Sequence, residues 1–184
     1  MDIFHRPRKS KMVLDEVYFW TDSVKDWHKL FKLEKYKVLI IDILRELVKR
    51  GHIKVYAFVI MPNHLHIVWK LLKKNGKEMP HASFNKKTAH LIMKDLKENH
   101  KRVVPYFEVQ ETERMHRIWQ RYPLAVLMDY KWKVEQKIDY IHNNPLQDHW
   151  NLAKYPEEYK WSSAKFYEEG IDEFDFLTDY REVF

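Results

Sequence analysis

Residues 58–69 read FVIMPNHLHIVW, two apolar runs joined by a short polar break. Pro62 and Asn63 in that break favour a turn, and the strand-forming residues on either side predict a β-hairpin. Side chains two residues apart on a strand share a face, so His64 and His66 point the same way, while the alternating apolar residues point into the core. Two adjacent imidazoles make half of a metal site. The alternative is a pair of solvent-facing histidines on a sheet edge.

Further elements are predicted on both sides of the hairpin. Residues 34–50 carry apolar side chains at intervals of three and four and end at Gly51, a pattern typical of a helix. Ser83 can cap a second helix, and Pro123 places a fourth strand at an edge or a bend. The predicted strands are residues 12–20, 52–60, 64–72 and 117–127, and the predicted helices are residues 34–50, 83–99 and 129–144.

The whole chain, residues 1–184, is predicted to form a single domain, since it shows no internal repeat and no second core. Residues 1–12 are expected to form a loose basic arm. The tail, residues 145–184, is expected to form short helices and loops packed on the main body. The internal segments without a predicted element are residues 21–33, 73–80 and 103–115.

The predicted order is strand, helix, strand, strand, helix, strand, followed by a further helix. A βαββαβ order is that of the ferredoxin-like fold. We therefore predict an α+β protein with a ferredoxin-like antiparallel sheet, an added C-terminal helix and a helical tail. Helices would cover one face of the sheet, and the other face would stay free for a ligand or for another sheet.

The composition fits a folded protein with a polyanionic partner. Of the 184 residues, 45% are hydrophobic and only three are glycine, which argues against disorder. The formal net charge of +6 favours a polyanion. The absence of cysteine excludes disulfides, thiolate metal sites and thiol nucleophiles, and fits a reducing compartment.

The N-terminal residues lack the apolar core of a signal peptide, and no apolar run is long enough to cross a bilayer. A cytoplasmic protein without a membrane partner is therefore expected. The chain also lacks a Gly-x-x-x-x-Gly-Lys motif, so no nucleotide cofactor is expected.

Basic side chains follow one flank of the second predicted helix. Such a stripe is most often a solvated face, but it could also track a phosphate backbone. Its members, spaced by four, four, three and four residues, are Lys86, His90, Lys94, Lys97 and Lys101.

The third predicted helix carries a tyrosine outside its apolar stripe. Tyr140 lies on the polar side together with Lys133 and Lys137. Asn144 follows one turn later, so its side chain could lie near the Tyr140 hydroxyl. The alternative for Asn144 is a helix-terminal role, because it precedes Pro145.

Four short motifs together resemble those of the single-tyrosine HUH transposases, and most closely the branch of REP-associated tyrosine transposases, relatives of the transposases of the smallest insertion sequences. The resemblance extends over about residues 17–167. In chain order, its motifs are MPNHLH at residues 61–66, WQ at residues 119–120, YIHNNP at residues 140–145 and PEEYKWSSA at residues 156–164.

The resemblance implies cleavage and rejoining of single-stranded DNA beside a hairpin. Tyr140 would attack a backbone phosphorus and hold the 5′-phosphate as a phosphotyrosine, and no ATP would be required. His64, His66 and Asn144 would hold a divalent ion, Mg²⁺ or Mn²⁺. The implied partner is hairpin-bearing single-stranded DNA, with a homodimer possible. The basic stripe of the second helix, with Lys133 and Lys137, would contact DNA.

Two other functions remain open. The chain could be a non-catalytic or domesticated protein that binds nucleic-acid hairpins, or the histidines could form a structural metal site. Residues 146–152 read LQDHWNL, where many relatives have a stretch of small residues, which leaves the DNA specificity open.

Overall fold

The computed structural model describes residues 11–112 and 114–184. Most of the predicted N-terminal arm, residues 1–12, lies outside the described residues. Met12 is buried in the hydrophobic core, so the prediction of a loose segment is wrong for this residue. No helix within the described ranges is both long and apolar enough to span a membrane.

The chain forms an α+β fold around a four-stranded antiparallel sheet, as predicted. The strands are β1 Val17–Ser23, β2 Ile53–Ile60, β3 His64–Leu71, β4 Glu108–Glu111, β5 Arg114–His116 and β6 Leu124–Leu127. The strand order across this sheet is β2-β3-β1-β6, the ferredoxin-like arrangement. A separate hairpin pairs β4 with β5. The α-helices are α1 Glu34–Lys49, α2 Pro80–Asn99, α3 Lys131–Asn143 and α4 Ala164–Glu169.

Helix α2 packs on one face of the sheet through a fully buried aromatic cluster. Trp20 of β1 stacks on Trp69 of β3, with ring centroids 5.0 Å apart, and Phe84 of α2 packs against both rings. The Tyr36 hydroxyl of α1 donates to Asp95 Oδ2 of α2 at 2.6 Å, which joins the two helices.

The opposite face of the sheet is not free. Helix α3 packs across it, and the Tyr140 ring lies against Phe19 of β1 and His66 of β3. The prediction of a free second face is therefore wrong. The apolar stripe of α3, with Val134 and Ile141 fully buried, needs an apolar partner surface, and this sheet face supplies one.

The first strand begins and ends later than predicted for residues 12–20. Asp15 adopts a positive φ of 64°, which turns the chain before β1 begins at Val17. The strand then continues to Ser23, because β3 pairs with it along its full length. Apolar content alone therefore placed the strand about four residues too early.

The second helix begins at Pro80, three residues before the predicted cap. Proline suits the first helical position because its missing N–H is one that the helix leaves unpaired. Ser83 instead accepts a 2.7 Å hydrogen bond from Asn75 Nδ2, so its hydroxyl ties the preceding loop to the helix. The predicted cap at Ser83 is wrong.

The fourth strand of the sheet is much shorter than predicted for residues 117–127. Tyr122 has a positive φ of 61°, which interrupts the extended chain before β6 begins at Leu124. Trp119 forms only an isolated bridge with Val24. Residues 103–115, predicted to be irregular, contain most of a 3₁₀ helix at Lys101–Phe107, all of β4 and the first two residues of β5.

The C-terminal tail runs beside β2, which is an edge strand of the sheet. Ile60 N donates to Trp161 O at 2.9 Å, Ser163 N donates to Phe58 O at 3.0 Å, and Thr178 N donates to Val55 O at 2.9 Å. These bonds pair backbone groups of β2 that an open edge would leave to solvent.

Candidate active site

The two histidines of the hairpin lie side by side at the start of β3. In the β1–β3 register, Thr21 is opposite His66 and Ser23 is opposite His64, so all four side chains share the face that α3 covers. The two imidazole centroids are 4.7 Å apart. The sheet therefore presents a pair of ring nitrogens to the space beneath α3.

Asn63 fixes the orientation of the His64 ring. Its Nδ2 donates to Trp27 O at 3.3 Å, which leaves Oδ1 facing His64 Nδ1 at 2.7 Å. An amide oxygen only accepts, so His64 Nδ1 carries the proton and Nε2 presents a lone pair.

Thr21 holds the second ring in a comparable way. His66 Nδ1 lies 2.7 Å from Thr21 Oγ1. His66 Nε2 is buried and makes no hydrogen bond to any described residue. A neutral ring that donates from Nδ1 to the threonine hydroxyl presents this nitrogen as a lone pair as well.

Burial keeps both imidazoles neutral. It lowers the pKa of His64 to about 4, an effect opposed by the nearby Asn144 side chain and reinforced by the charge of His149. Burial also lowers the pKa of His66 to about 3, and the electrostatic effect of the neighbouring His64 and Lys137 lowers it further. At neutral pH both rings are therefore available as ligands.

Asn144 immediately follows α3 and begins a 3₁₀ turn at Asn144–Leu146. It is 3% exposed, and its Oδ1 makes no hydrogen bond within the described residues, although the side chain lies close enough to influence His64. Asn144 is also the C-terminal cap residue of α3, where its backbone N–H donates to Ile141 O, so the helix-terminal position is confirmed and the side chain stays available for another role.

Tyr140 reaches the same space from α3. Its ring is 42% exposed, and its centroid lies 5.2 Å from that of His66 and 6.1 Å from that of Phe19. Lys137 Nζ lies 5.5 Å from the Tyr140 ring and 4.8 Å from the Phe19 ring. One chain thus brings tyrosine, lysine and both histidines together.

These side chains line an open cavity of about 630 Å³. Among the described residues, no aspartate or glutamate lines it. The lining is cationic, aromatic or neutral, which favours an anionic ligand. It consists of Phe19, Thr21, Ser23, Trp27, Asn63, His64, His66, Leu124, Lys137, Tyr140, Asn144, Gln147, His149 and Trp150.

The donor set fits a divalent metal ion. His66 Nε2 and Asn144 Oδ1 are buried polar atoms without hydrogen bonds in the described part of the chain. Because buried polar atoms in folded proteins almost always have a partner, these two atoms are candidates for binding a ligand. His64 contributes a further lone pair. Across residues 11–112 and 114–184, no group of three or more His, Asp or Glu side chains could hold a metal, so an ion here would use two imidazoles and an amide oxygen.

The basic stripe predicted on the second helix is not part of this cavity. Its first four members lie on α2, on the opposite side of the sheet, where they line two other cavities of about 1030 and 380 Å³. Lys86 pairs with Glu78 at 2.8 Å. Lys86 and His90 line the larger cavity, and His90, Lys94 and Lys97 line the smaller one, while Lys101 begins the following 3₁₀ helix.

The two lysines of α3 also differ in whether they line the cavity. Lys137 lines the cavity of Tyr140. Lys133 pairs with Asp129 and lies 5.7 Å from the exposed Trp132 ring, outside the cavity lining.

Several cavity residues were missed by sequence reasoning. Asn63 was interpreted only as a turn former, although an amide next to a histidine could have indicated an orienting role. Thr21 depends on the β1–β3 register, and Trp27 belongs to a segment with no predicted element. Trp150 lies in the stretch where the chain departs from the motif pattern, so no signal was available for it.

Comparisons with known proteins add a structural relationship. No protein-family model matches the chain, and no curated protein matches it in sequence. Among solved structures, the chain resembles the REP-associated tyrosine transposase bound to a REP hairpin, with a TM-score of 0.60 and 17% sequence identity. The similarity covers 97% of this chain and 93% of that chain. It shows that the two proteins share a fold.

Proposed function

We propose that this protein cleaves and rejoins single-stranded DNA through a covalent bond to Tyr140. The observation that carries the proposal is the placement of the Tyr140 ring 5.2 Å from His66, in a cavity with two neutral imidazoles and without a carboxylate among the described residues. The fold shared with a transposase bound to a DNA hairpin supports the choice of DNA.

In the proposed reaction, the Tyr140 oxygen attacks a backbone phosphorus. A bond forms between the phenolic oxygen and phosphorus, and the bond from phosphorus to the 3′ oxygen of the preceding nucleotide breaks. The phenol loses its proton to solvent, and the departing 3′ oxygen takes up a proton. The reverse attack by a 3′-hydroxyl reseals a strand, so the ester conserves the energy of the broken bond.

Residues around Tyr140 prepare this step. Tyr140 supplies the phenolic oxygen, and the Lys137 ammonium lies beside its ring, with Nζ 5.5 Å from the ring centroid. The same ammonium can pair with a phosphate oxygen. Asn63 and Thr21 hold the two imidazoles in their orientations.

His64, His66 and Asn144 would hold Mg²⁺ or Mn²⁺. Such an ion supplies Lewis-acid stabilisation of charge on a phosphate's non-bridging oxygens. Three neutral ligands would leave the ion's full positive charge available for that purpose, and Asn63 and Thr21 would hold the two ligand rings in place.

The test is formation of a covalent protein–DNA adduct. The full chain is incubated with Mn²⁺ and hairpin-bearing single strands, and adducts are separated on denaturing gels. Tyr140→Phe should form no adduct, because it lacks the attacking oxygen, while its affinity for the strand should stay within about 2-fold of wild type. Tyr130→Phe removes a comparably exposed hydroxyl outside the cavity lining and should form adduct normally.

The same assay separates the other candidate functions. A chelator should abolish the adduct while circular dichroism stays unchanged. If the metal were structural, the chelator would instead unfold the protein. A hairpin-binding protein without catalysis would bind the strand but give no adduct with wild type. An adduct that persists in Tyr140→Phe would refute the assignment of the nucleophile.

A further inference from the structure

Two indole rings flank His64 within the same cavity. The centroid of the Trp27 ring lies 6.5 Å from that of His64, and the centroid of the Trp150 ring lies 5.9 Å from it. Tyr140 instead contacts His66. The cavity therefore has a tyrosine end and a tryptophan end, with the pair of imidazoles between them.

The backbone holds Trp27 in an exposed position against its intrinsic preference. Asp26 and Trp27 are consecutive non-glycine residues with positive φ of 53° and 58°, a conformation that is rare for a bulky side chain. Asn63 Nδ2 donates to Trp27 O, so the residue that orients His64 also fastens this loop. The indole is 58% exposed despite its size. Strain of this kind is typical of ligand-binding positions.

A lysine ammonium lies over the Trp150 ring. Lys29 Nζ is 5.4 Å from the ring centroid, and the centroid of the neighbouring His149 ring is 5.3 Å away. An aromatic face next to a cation suits a nucleotide, because the base stacks while the phosphate pairs with the charge.

We propose that Trp27 and Trp150 bind an unpaired nucleobase next to the phosphate that Tyr140 attacks. The described cavity lining contains two tryptophan rings, the Lys137 ammonium and no carboxylate, which matches a nucleotide of a single strand. A base within a duplex keeps its faces stacked on its neighbours, so this site selects unpaired DNA. The position of the phosphate rests on the proposed function, whereas base binding can be measured without it.

The test uses the Tyr140→Phe chain, so that the strand stays intact. The probes are a short thymidine strand with a 5′ fluorescein, the same strand with one 2-aminopurine, and a blunt duplex of equal length. Trp27→Leu and Trp150→Leu should each weaken binding of the thymidine strand by about 5- to 150-fold, the range expected for one stacked base. Both should also reduce the quenching of 2-aminopurine, and neither should change binding of the duplex.

Trp132→Leu is the matched control, since this indole is 59% exposed on α3 but outside the cavity lining. It should bind the thymidine strand as the parent chain does. Circular dichroism checks the fold of each variant, and Trp150→Leu tests the site independently if the strained Trp27 loop rearranges. Unchanged affinity and quenching in both variants would overturn the base site.

The two proposals can fail separately. Adduct formation by wild type, together with unaltered strand binding in both tryptophan variants, would leave the catalytic proposal standing and remove the base site. Tryptophan-dependent quenching without any adduct would support the base site and contradict the catalytic proposal. Equal losses for strand and duplex would assign the indoles to general DNA contact and contradict selection of unpaired bases.

Discussion

His64 and His66 owe their chemical state to neighbours that differ in their distance along the chain. Asn63 is adjacent to His64 and fixes its tautomer, whereas Thr21 reaches His66 across 45 residues of sequence. The pairing of the two rings on one face follows from the two-residue period of a strand, and it was predictable. The hydrogen bond to Thr21 was not, because it depends on which residue of β1 lies opposite.

Asp22 is a buried carboxyl with a direct effect on pH-dependent stability. It is 1% exposed and accepts hydrogen bonds from Ser23 N at 2.8 Å and from Asn85 Nδ2 at 2.6 Å. Burial raises its pKa to about 8, so the native state keeps a proton that the unfolded chain releases near pH 4. The unfolded state binds fewer protons between these values, and stability must fall as pH rises through this window.

We therefore expect wild type to lose up to about 1.4 kcal/mol of its free energy of unfolding per pH unit between about pH 4 and pH 8, because of Asp22. Asp22→Asn should not show this loss. The introduced amide cannot ionise, and rotation of the Asn85 amide would present its Oδ1 as an acceptor. Urea unfolding at several pH values measures the free energy of unfolding of both proteins. The variant should gain stability relative to wild type as pH rises. Asp148→Asn, at an exposed position, should show no such trend. A constant difference for Asp22→Asn would contradict the prediction.

Helix α3 is anchored to β2 through one hydroxyl of the tail. Ser163 Oγ accepts from Phe58 N at 3.0 Å, lies 3.3 Å from Phe58 O and is 2.9 Å from His142 Nε2. Burial lowers the pKa of His142 to about 4, so this ring is neutral and can donate from Nε2. Because His142 lies two residues after Tyr140, the hydroxyl fixes the part of α3 that carries the proposed nucleophile.

Ser163→Ala should destabilise the protein by about 2–4 kcal/mol, because it leaves Phe58 N and His142 Nε2 buried without partners. It should also slow adduct formation more than it weakens strand binding. Ser162→Ala is the control: this neighbouring hydroxyl is also buried, but among the described residues it bonds only within the tail, to Tyr159 O and Ala164 N at 3.2 Å. Denaturant unfolding and adduct rates compare the two variants. Equal effects of both would argue against a specific role for the contact with α3.

Elements with a strong local signal were predicted well. Helix α1 and the hairpin of β2 and β3 lie within a residue of their predicted bounds, because periodicity and turn chemistry act over a few residues. Strand β6 was predicted seven residues too long, since apolar content could not show that Tyr122 adopts a positive φ. Its short length follows from pairing with β1, a tertiary contact.

At the scale of the whole molecule, the cavity joins residues from distant parts of the chain. His64 and His66 come from β3, Tyr140 comes from α3, and Asn144 immediately follows α3. Sequence reasoning grouped these four residues only through a resemblance to known motifs, since their spacing does not imply contact. Trp27 and Trp150 have no motif, and only the packing of the loops shows that they flank His64.

The tail also completes the core beneath the edge strand β2. Phe174 and Phe176 pack on Phe58, with ring centroids 4.9 and 5.7 Å from it, and both are almost fully buried. Asp172 accepts hydrogen bonds from both of their backbone N–H groups at 2.9 Å, which fixes the loop that carries them. The edge of β2 and its aromatic surface are thus covered by the C-terminal tail.

Removing the two rings should therefore affect the whole molecule. Replacing Phe174 and Phe176 together by alanine should cost about 3–5 kcal/mol for each ring, which is comparable to the total stability of a domain. The exposed edge of β2 should then promote association, visible as early elution in size-exclusion chromatography. Ile171 and Val183 are exposed in the same tail, and their joint replacement by alanine should change stability by less than about 1 kcal/mol. If both pairs of substitutions shifted the urea midpoint equally, the contact of the two phenylalanines with Phe58 would not be a specific source of stability. That result would contradict the prediction.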